Sequence, residues 1–574
     1  NEQIEAWRSS LPRREDLAEA IERFAANADL AGLGPRERWY VERWRKDVRL
    51  AGGGRSPAVR AEMARLTERL LEVASAFLLN LAKPPRITVD RSVLEGLPDA
   101  VRSAAIPVER EREDDADRVE LPIDGGTYLT IMEQSPSREL RERAYRAWCS
   151  KGVPENLPLL RETFELRHRL ARLAGYPSWQ AYRVEDLAAP DTAFVNGFIE
   201  DLATRLRPIA ERERAEMEAV LRAQPDTPAD FVLQDWDWRH GDAIQRAAVA
   251  GEGSRIAEYF DFEPVLDGLA ALSADVYEIR LEARPERTAW DPDVRAFDLI
   301  DVPTGRVIEH LFLDPWTRPG KQSGGWTDFL LPGGGRHGEE AAPTVSLCVN
   351  VSKPAEGPAL LSPLEVDTLF HEYGHVLNHA VGHGPFVLHR QSWLAFDVIE
   401  GPSEFNGRWS LQPEVVARYA RHHRTGDPIP PELVEAIRRS ESLNVVSRLF
   451  QLLAQVRFDA LVHGETEVPI EEADRIAWSI RAMPEVEGIF FPAGITHLVG
   501  GTYDAALYGY AWSDVIRDDL LERFEAGGLL SPEMGARYRE TILAANWTDD
   551  PMGPINAFLG RPWSIDAFLR RAAS

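Results

Sequence analysis

Within one turn of chain, His371-Glu372-Tyr373-Gly374-His375 supplies two imidazoles and a carboxylate. Just before it, Ser362, Pro363 and Glu365 predict a helix start: a serine N-cap, a proline at the first helical position and the glutamate of a capping box. Leu364, Thr368, His371, Glu372 and His375 recur at three- and four-residue steps, so they share one helix face. Four residues at 1.5 Å rise set the histidines about 6 Å apart along the axis. Both can then reach one Zn²⁺ at about 2.0–2.1 Å. Glu372 points at the open position of such a metal and can act on its water. Further on, the stretch 396–404 offers Glu400 as a third ligand. Two His and one Glu, with a fourth position left for water, is the pattern of catalytic rather than structural zinc. The bland alternative is a solvated helix with incidental histidines, in a chain that has 13 of them.

The elements that must position this motif are mostly helices. Ser56-Pro57 opens an amphipathic run with Val59, Met63, Leu66, Leu70, Ala74, Phe77 and Leu81 at helical spacing, stopped by Pro84-Pro85. That stripe reads as core. A helix from an Asn156 cap to a Gly175 stop follows, and 190–223 is helical with Arg/Glu pairs on a solvated face. The stretch 114–132 alternates like a hairpin, with Asp124-Gly125-Gly126 as its turn. Between 290 and 351 the texture turns β-rich, with strands expected at 294–300, 307–313 and 345–351 and an exposed loop at 333–338 in which His337 is solvated. The strand at 345–351 precedes the motif helix and is expected at a sheet edge, free to pair with a substrate backbone. Late in the chain, 497–512 gathers three glycines and three tyrosines beside His497, which reads as a mobile loop carrying phenol donors, with an aromatic packing patch as the alternative.

The chain has 574 residues, 44% hydrophobic and 28% charged, enough for two or more substantial cores. The division expected is a largely helical region 1–340 with a β-rich end, and a zinc-binding catalytic region 341–574, the two interlocking into lobes. No run of eighteen apolar residues occurs, so no membrane span is expected. A net charge of −27 disfavours nucleic acid and favours cationic peptides. The two cysteines, Cys149 and Cys348, imply no disulfide framework and fit a cytoplasmic location. The numbering opens on Asn1 rather than Met, which leaves room for a removed N-terminal signal.

Several stretches together resemble the thimet oligopeptidase and neurolysin family of zinc metallopeptidases, which includes bacterial oligopeptidases and dipeptidyl carboxypeptidases. They are 313–321 (Leu-Asp-Pro-Trp-Thr-Arg-Pro-Gly-Lys), 369–375 (Leu-Phe-His-Glu-Tyr-Gly-His), 397–403 (Asp-Val-Ile-Glu-Gly-Pro-Ser) and 497–512, in the family's order. The resemblance implies a mainly α, zincin-type metallopeptidase with a small β-sheet near the active site and two lobes around a deep central channel. It implies one Zn²⁺ held by His371, His375 and Glu400, with Glu372 as general base. His497, Tyr503 and Tyr510 match positions that contact substrate or stabilise the oxyanion. There are departures: Asn378 stands where the family often has histidine, Thr502 is an extra residue in the late loop, Leu507 replaces a tyrosine and Glu404 a common glutamine. These bear on subsite preference more than on chemistry.

The function expected is zinc-dependent hydrolysis of internal bonds in short unstructured peptides, by a monomer without nucleic-acid or membrane partners. Release of C-terminal dipeptides is the sibling reading. An inactive peptide-binding protein on the same scaffold is a third, against which the intact base and ligands argue.

Overall fold

The computed structural model describes residues 7, 10–28, 30, 32–108, 117–225, 227–250, 255–318, 320–322, 324–331, 333, 341–382, 395–500, 503–545 and 550–573. Helices dominate, with two small sheets. The chain folds as two compact units, each built from separate stretches: residues 1–18, 47–248 and 443–508 form the first, and residues 19–46, 249–442 and 509–574 the second.

In the first unit, α1 (Pro57–Leu81) starts where the Ser56 hydroxyl accepts from the Val59 N–H, and it buries Met63, Leu66, Val73, Phe77 and Leu81. Strands β1 (Arg86–Asp90), β2 (Ile106–Pro107) and β3 (Arg118–Pro122) form an antiparallel sheet in the order β1-β3-β2. The hairpin expected at 114–132 is absent beyond β3. Asp124 accepts from the Thr127 N–H and caps a helix, α2 (Gly125–Gln134), while 114–116 lie outside the described residues. The apparent alternation there is a helical face burying Thr127, Tyr128, Ile131 and Met132. Next come α3 (Arg138–Cys149) and α4 (Asn156–Ala174), the latter ending on Gly175 at φ +94°. Asn156 is not the cap: it lies one residue inside, and its buried amide donates to the Phe77 and Ala493 carbonyls. The unit continues with α5 (Thr192–Arg222) and α6 (Asp235–Ala250).

The second unit holds α7 (Phe262–Tyr277) and a five-stranded sheet: β4 (Ile279–Ala283), β5 (Arg295–Asp301), β6 (Val307–Trp316), β7 (Trp326–Leu331) and β8 (Thr344–Val351), in the order β4-β5-β6-β8-β7. Only the β6–β8 pair is parallel. The strand before the motif helix, β8, is therefore not an edge; it is bonded on both sides, and the edge belongs to β7. The loop expected at 333–338, with His337, lies outside the described residues except Gly333.

The motif helix is α8 (Pro363–Gly382). Its capping box is formed as the sequence predicts: the Ser362 N–H donates to Glu365 Oε2 at 2.8 Å, and the Glu365 N–H donates to Ser362 Oγ at 3.3 Å. Against it packs α9 (Glu400–Ser410). Gly374 permits the contact, since a Cβ there would lie 2.8 Å from Ser403 Cα. Asn406 locks it, donating to the Phe370 carbonyl while accepting from the Tyr277 hydroxyl at 3.2 Å.

The chain then returns to the first unit with α10 (Val445–His463) and α11 (Ile470–Trp478). The late stretch is not a mobile loop throughout. Asp459 accepts from the Ala505 N–H at 2.9 Å and the Leu507 N–H at 3.3 Å, both buried. From Tyr508 on, the chain is helix α12 (Tyr508–Gly527). Gly509 serves close approach, because a Cβ there would lie 2.9 Å from Asp397 Cα. Gly501 and Thr502 lie outside the described residues. Among the described residues no helix is long and apolar enough to cross a membrane.

Candidate metal centre

Helix α8 presents His371 and His375 on one face, with ring centroids 5.0 Å apart. Glu400, at the start of α9, reaches between them: its Oε2 lies 3.4 Å from His371 Nε2 and 3.2 Å from His375 Nε2. Ser403 Oγ, also 3.3 Å from Oε2, steadies that oxygen from the next turn. One donor atom from each of the three groups falls within 4.8 Å of the others. Ligands about 2.0–2.1 Å from a tetrahedral cation are separated by about 3.3–3.4 Å, so the spacing suits a small divalent metal.

The charges suit a cation too. Burial would lower the His371 pKa, yet Glu400, Glu404 and Glu372 outweigh it and push the imidazole up to about 10. Burial would raise the Glu400 pKa, yet the imidazoles of His371 and His375 hold it well below the usual carboxylate range. The field at the cluster thus favours positive charge. Glu404 Oε1 lies 3.7 Å from His371 Nδ1, on the ring's far side, where it can orient that ring.

Glu372 is buried beside the cluster. Burial lifts its carboxyl above the ordinary value, against the pull of the two imidazoles and Thr327. Thr327, from the edge strand β7, lies with Oγ1 3.0 Å from Glu372 Oε2 and 3.0 Å from the Glu372 carbonyl. Just before β7, Gly325 leaves room for the same carboxylate, since a Cβ there would stand 2.8 Å from Oε1. Sequence reading missed Thr327 and Gly325. Thr327 sits on a strand 45 residues upstream, with Gly325 just before that strand, and only a sheet-edge position for β7 could have pointed to them.

The remaining predicted residues divide between the units. His497 is exposed and Tyr503 half-buried in the first, with rings 5.3 Å apart. Tyr510 is half-buried on the first turn of α12, in the second. The structure therefore gathers His371, Glu372, His375 and Glu400, places Tyr510 in the same unit, and holds His497 and Tyr503 together in the other.

Comparison with known proteins gives this geometry its context. Oligopeptidase A of Escherichia coli (strain K12) is 27% identical over 98% of this chain and 87% of its own length. The dipeptidyl carboxypeptidase of the same strain is 27% identical, over 87% of this chain and 75% of its own. Among solved structures, the M32 carboxypeptidase of Deinococcus radiodurans R1 superposes with a TM-score of 0.54 at 12% identity, covering 99% of this chain and 89% of that one. The Pyrococcus furiosus carboxypeptidase does so at 0.53 and 11%, covering 100% and 89%. At such identities the likeness speaks for the fold alone. The model of peptidase family M3 matches residues 131–574, and with its relatives spread over nearly the whole chain, this metallopeptidase belongs to peptidase family M3.

Proposed function

We propose that the protein is a zinc oligopeptidase that hydrolyses internal bonds of short unstructured peptides, with His371, His375 and Glu400 holding the metal. The observation that carries this is the convergence of three donor atoms, all within 4.8 Å of one another, beside a buried carboxylate. Zinc is the default for a His₂Glu set with an open position. Bound there, the metal supplies Lewis acidity, which brings the pKa of water from about 15.7 towards about 7 and polarises a carbonyl. Glu372 accepts the proton of the attacking water and returns it to the leaving amine. Thr327 fixes the carboxylate for both transfers. The phenols of Tyr510 and Tyr503, with His497, are proposed as donors to the substrate or its developing oxyanion. The outer edge of β7, against which no strand pairs among the described residues, is proposed to meet an extended substrate backbone. The zincin-type reading of the fold, action as a monomer and a cytoplasmic location are proposed on the family resemblance.

The similarity to a dipeptidyl carboxypeptidase keeps a second reading, sequential removal of C-terminal dipeptides. Mass spectrometry of products from peptides of graded length separates the two: internal cuts support the first, a ladder of dipeptides the second. Glu372→Gln tests the chemistry. It is expected to keep the metal and lower kcat by about 10²–10⁴-fold; near-normal turnover in the metal-replete variant removes Glu372 from its role.

A further inference from the structure

The first unit contains a cavity of about 180 Å³ lined by none of the residues proposed for the peptidase chemistry. Two helices build it with the same spacing. From α10 come Gln451, Ala454, Gln455 and Phe458, and from α11 and the turn after it come Asp474, Ala477, Trp478 and Arg481. Steps of three and four residues are those of a core stripe. Here the middle of each stripe is an alanine, which makes the room, and polar side chains stand where apolar ones would fill it. Tyr128 and Trp148, stacked at 4.8 Å, form an aromatic wall.

The lining carries two aspartates and two arginines, of which Asp235 and Arg481 pair with each other. Asp235 is met by Arg481 and by the Tyr145 hydroxyl at 3.1 Å. Arg481 in turn lies 4.5 Å over the Trp478 ring. Arg239 is engaged by Tyr128 and Glu133. Asp474 is left over: among the described residues no hydrogen bond or ion pair reaches it, nor the amides of Gln451 and Gln455. Burial, with Glu485 nearby, pushes the Asp474 carboxyl up to about 6, the direction expected without a cationic partner. A packing defect is lined by apolar groups and stays dry; this cavity has aromatic walls, one carboxylate without a hydrogen bond or ion pair among the described residues, and two open amides.

We propose that this cavity is a binding site for a small organic monocation, a primary ammonium on a flat apolar body of roughly benzene size. The ammonium faces Asp474 with the glutamine carbonyls as further acceptors, and the ring lies among Tyr128, Trp148 and Trp478. A cavity of about 150 Å³ is enough for benzene, and an aromatic face adds attraction for a cation.

Calorimetry on the full chain tests this with 2-phenylethylamine, 3-phenylpropanol and 3-phenylpropanoate, which share a ring and differ in charge. The amine is expected to bind more tightly than the alcohol, and the acid not to bind. Asp474→Asn should weaken the amine at least about tenfold, equivalent to about 1.4 kcal/mol, while leaving the alcohol unchanged. Ala477→Leu should fill the cavity and abolish binding of both. Because the asparagine variant removes charge without changing volume, it serves even where the leucine variant fails to fold. Failure of the amine to bind, equal affinity for the acid, or an unaltered affinity in Asp474→Asn overturns the proposal. The readout is binding rather than cleavage, so it stands apart from the role of Glu372.

Discussion

With its hydroxyl 3.0 Å from both the carboxylate and the carbonyl of Glu372, Thr327 restricts the rotamers open to the side chain proposed as general base. The hydroxyl has a single proton to give. When it goes to Oε2, the other oxygen, facing Gly325, is left for water. Thr327→Val keeps the shape and removes the donor. A hydrogen bond to a charged group contributes about 1.5–3 kcal/mol, so kcat is expected to fall by about 10- to 100-fold with metal content unchanged, and Thr327→Ser to recover most of it. Wild-type kcat in the valine variant would make the contact structural only. This residue also marks where sequence reading stopped. His371, His375 and Glu372 are neighbours on one helix, so spacing alone brings them together. Thr327 meets them through a strand order, β6-β8-β7, that does not follow the chain.

Among the elements, the pair α8 and α9 decides whether Glu400 meets the histidines. Gly374 lies where a methyl group would strike the backbone of Ser403. Gly374→Ala is expected to cost about 1–3 kcal/mol by overpacking and to move α9 outward with Glu400. Both the melting temperature and the metal retained after dialysis against a chelator should fall. A lower melting temperature with full metal would show that another contact sets Glu400. The Ser362/Glu365 cap was legible because capping is local, whereas 114–132 was misread because a two-residue alternation and a helical face share several positions over a short run. The segment 503–507 was misread for the opposite reason, since its anchors are remote. Asp504 Oδ2 accepts from Trp179 Nε1 at 2.6 Å and lies 3.6–3.7 Å from Arg183 and Arg167. Burial would raise the Asp504 pKa, but the two guanidinium groups hold it down to about 2. Its stabilisation is thus full above the ordinary value near 4 and is lost as pH falls towards 2. Asp504→Asn should cost about 2 kcal/mol at pH 7 in urea unfolding, a deficit that shrinks below pH 4. A deficit independent of pH would mean the charge is not what matters.

On the scale of the whole molecule, a net charge of −27 should draw cationic peptides in and repel acidic ones. For a lysine-rich peptide, kcat/KM is expected to fall about 3- to 10-fold between low and high salt as screening sets in, and to change little for an uncharged one. Parallel salt curves would argue against steering. The way the chain is divided has a consequence for its synthesis. Helix α9, bearing Glu400, leans on residues from 509 onward: Phe405 stacks on Phe524 at 4.8 Å, Gly401 abuts Ile516, and Trp409 donates to the Leu529 carbonyl at 2.9 Å. These partners leave the ribosome more than a hundred residues after Glu400 itself. While they are still being translated, the helix that completes the donor set rests on α8 and Tyr277 but lacks these later supports. The nascent chain therefore carries both histidines in waiting until the residues from 509 onward have been made and can hold Glu400 beside them.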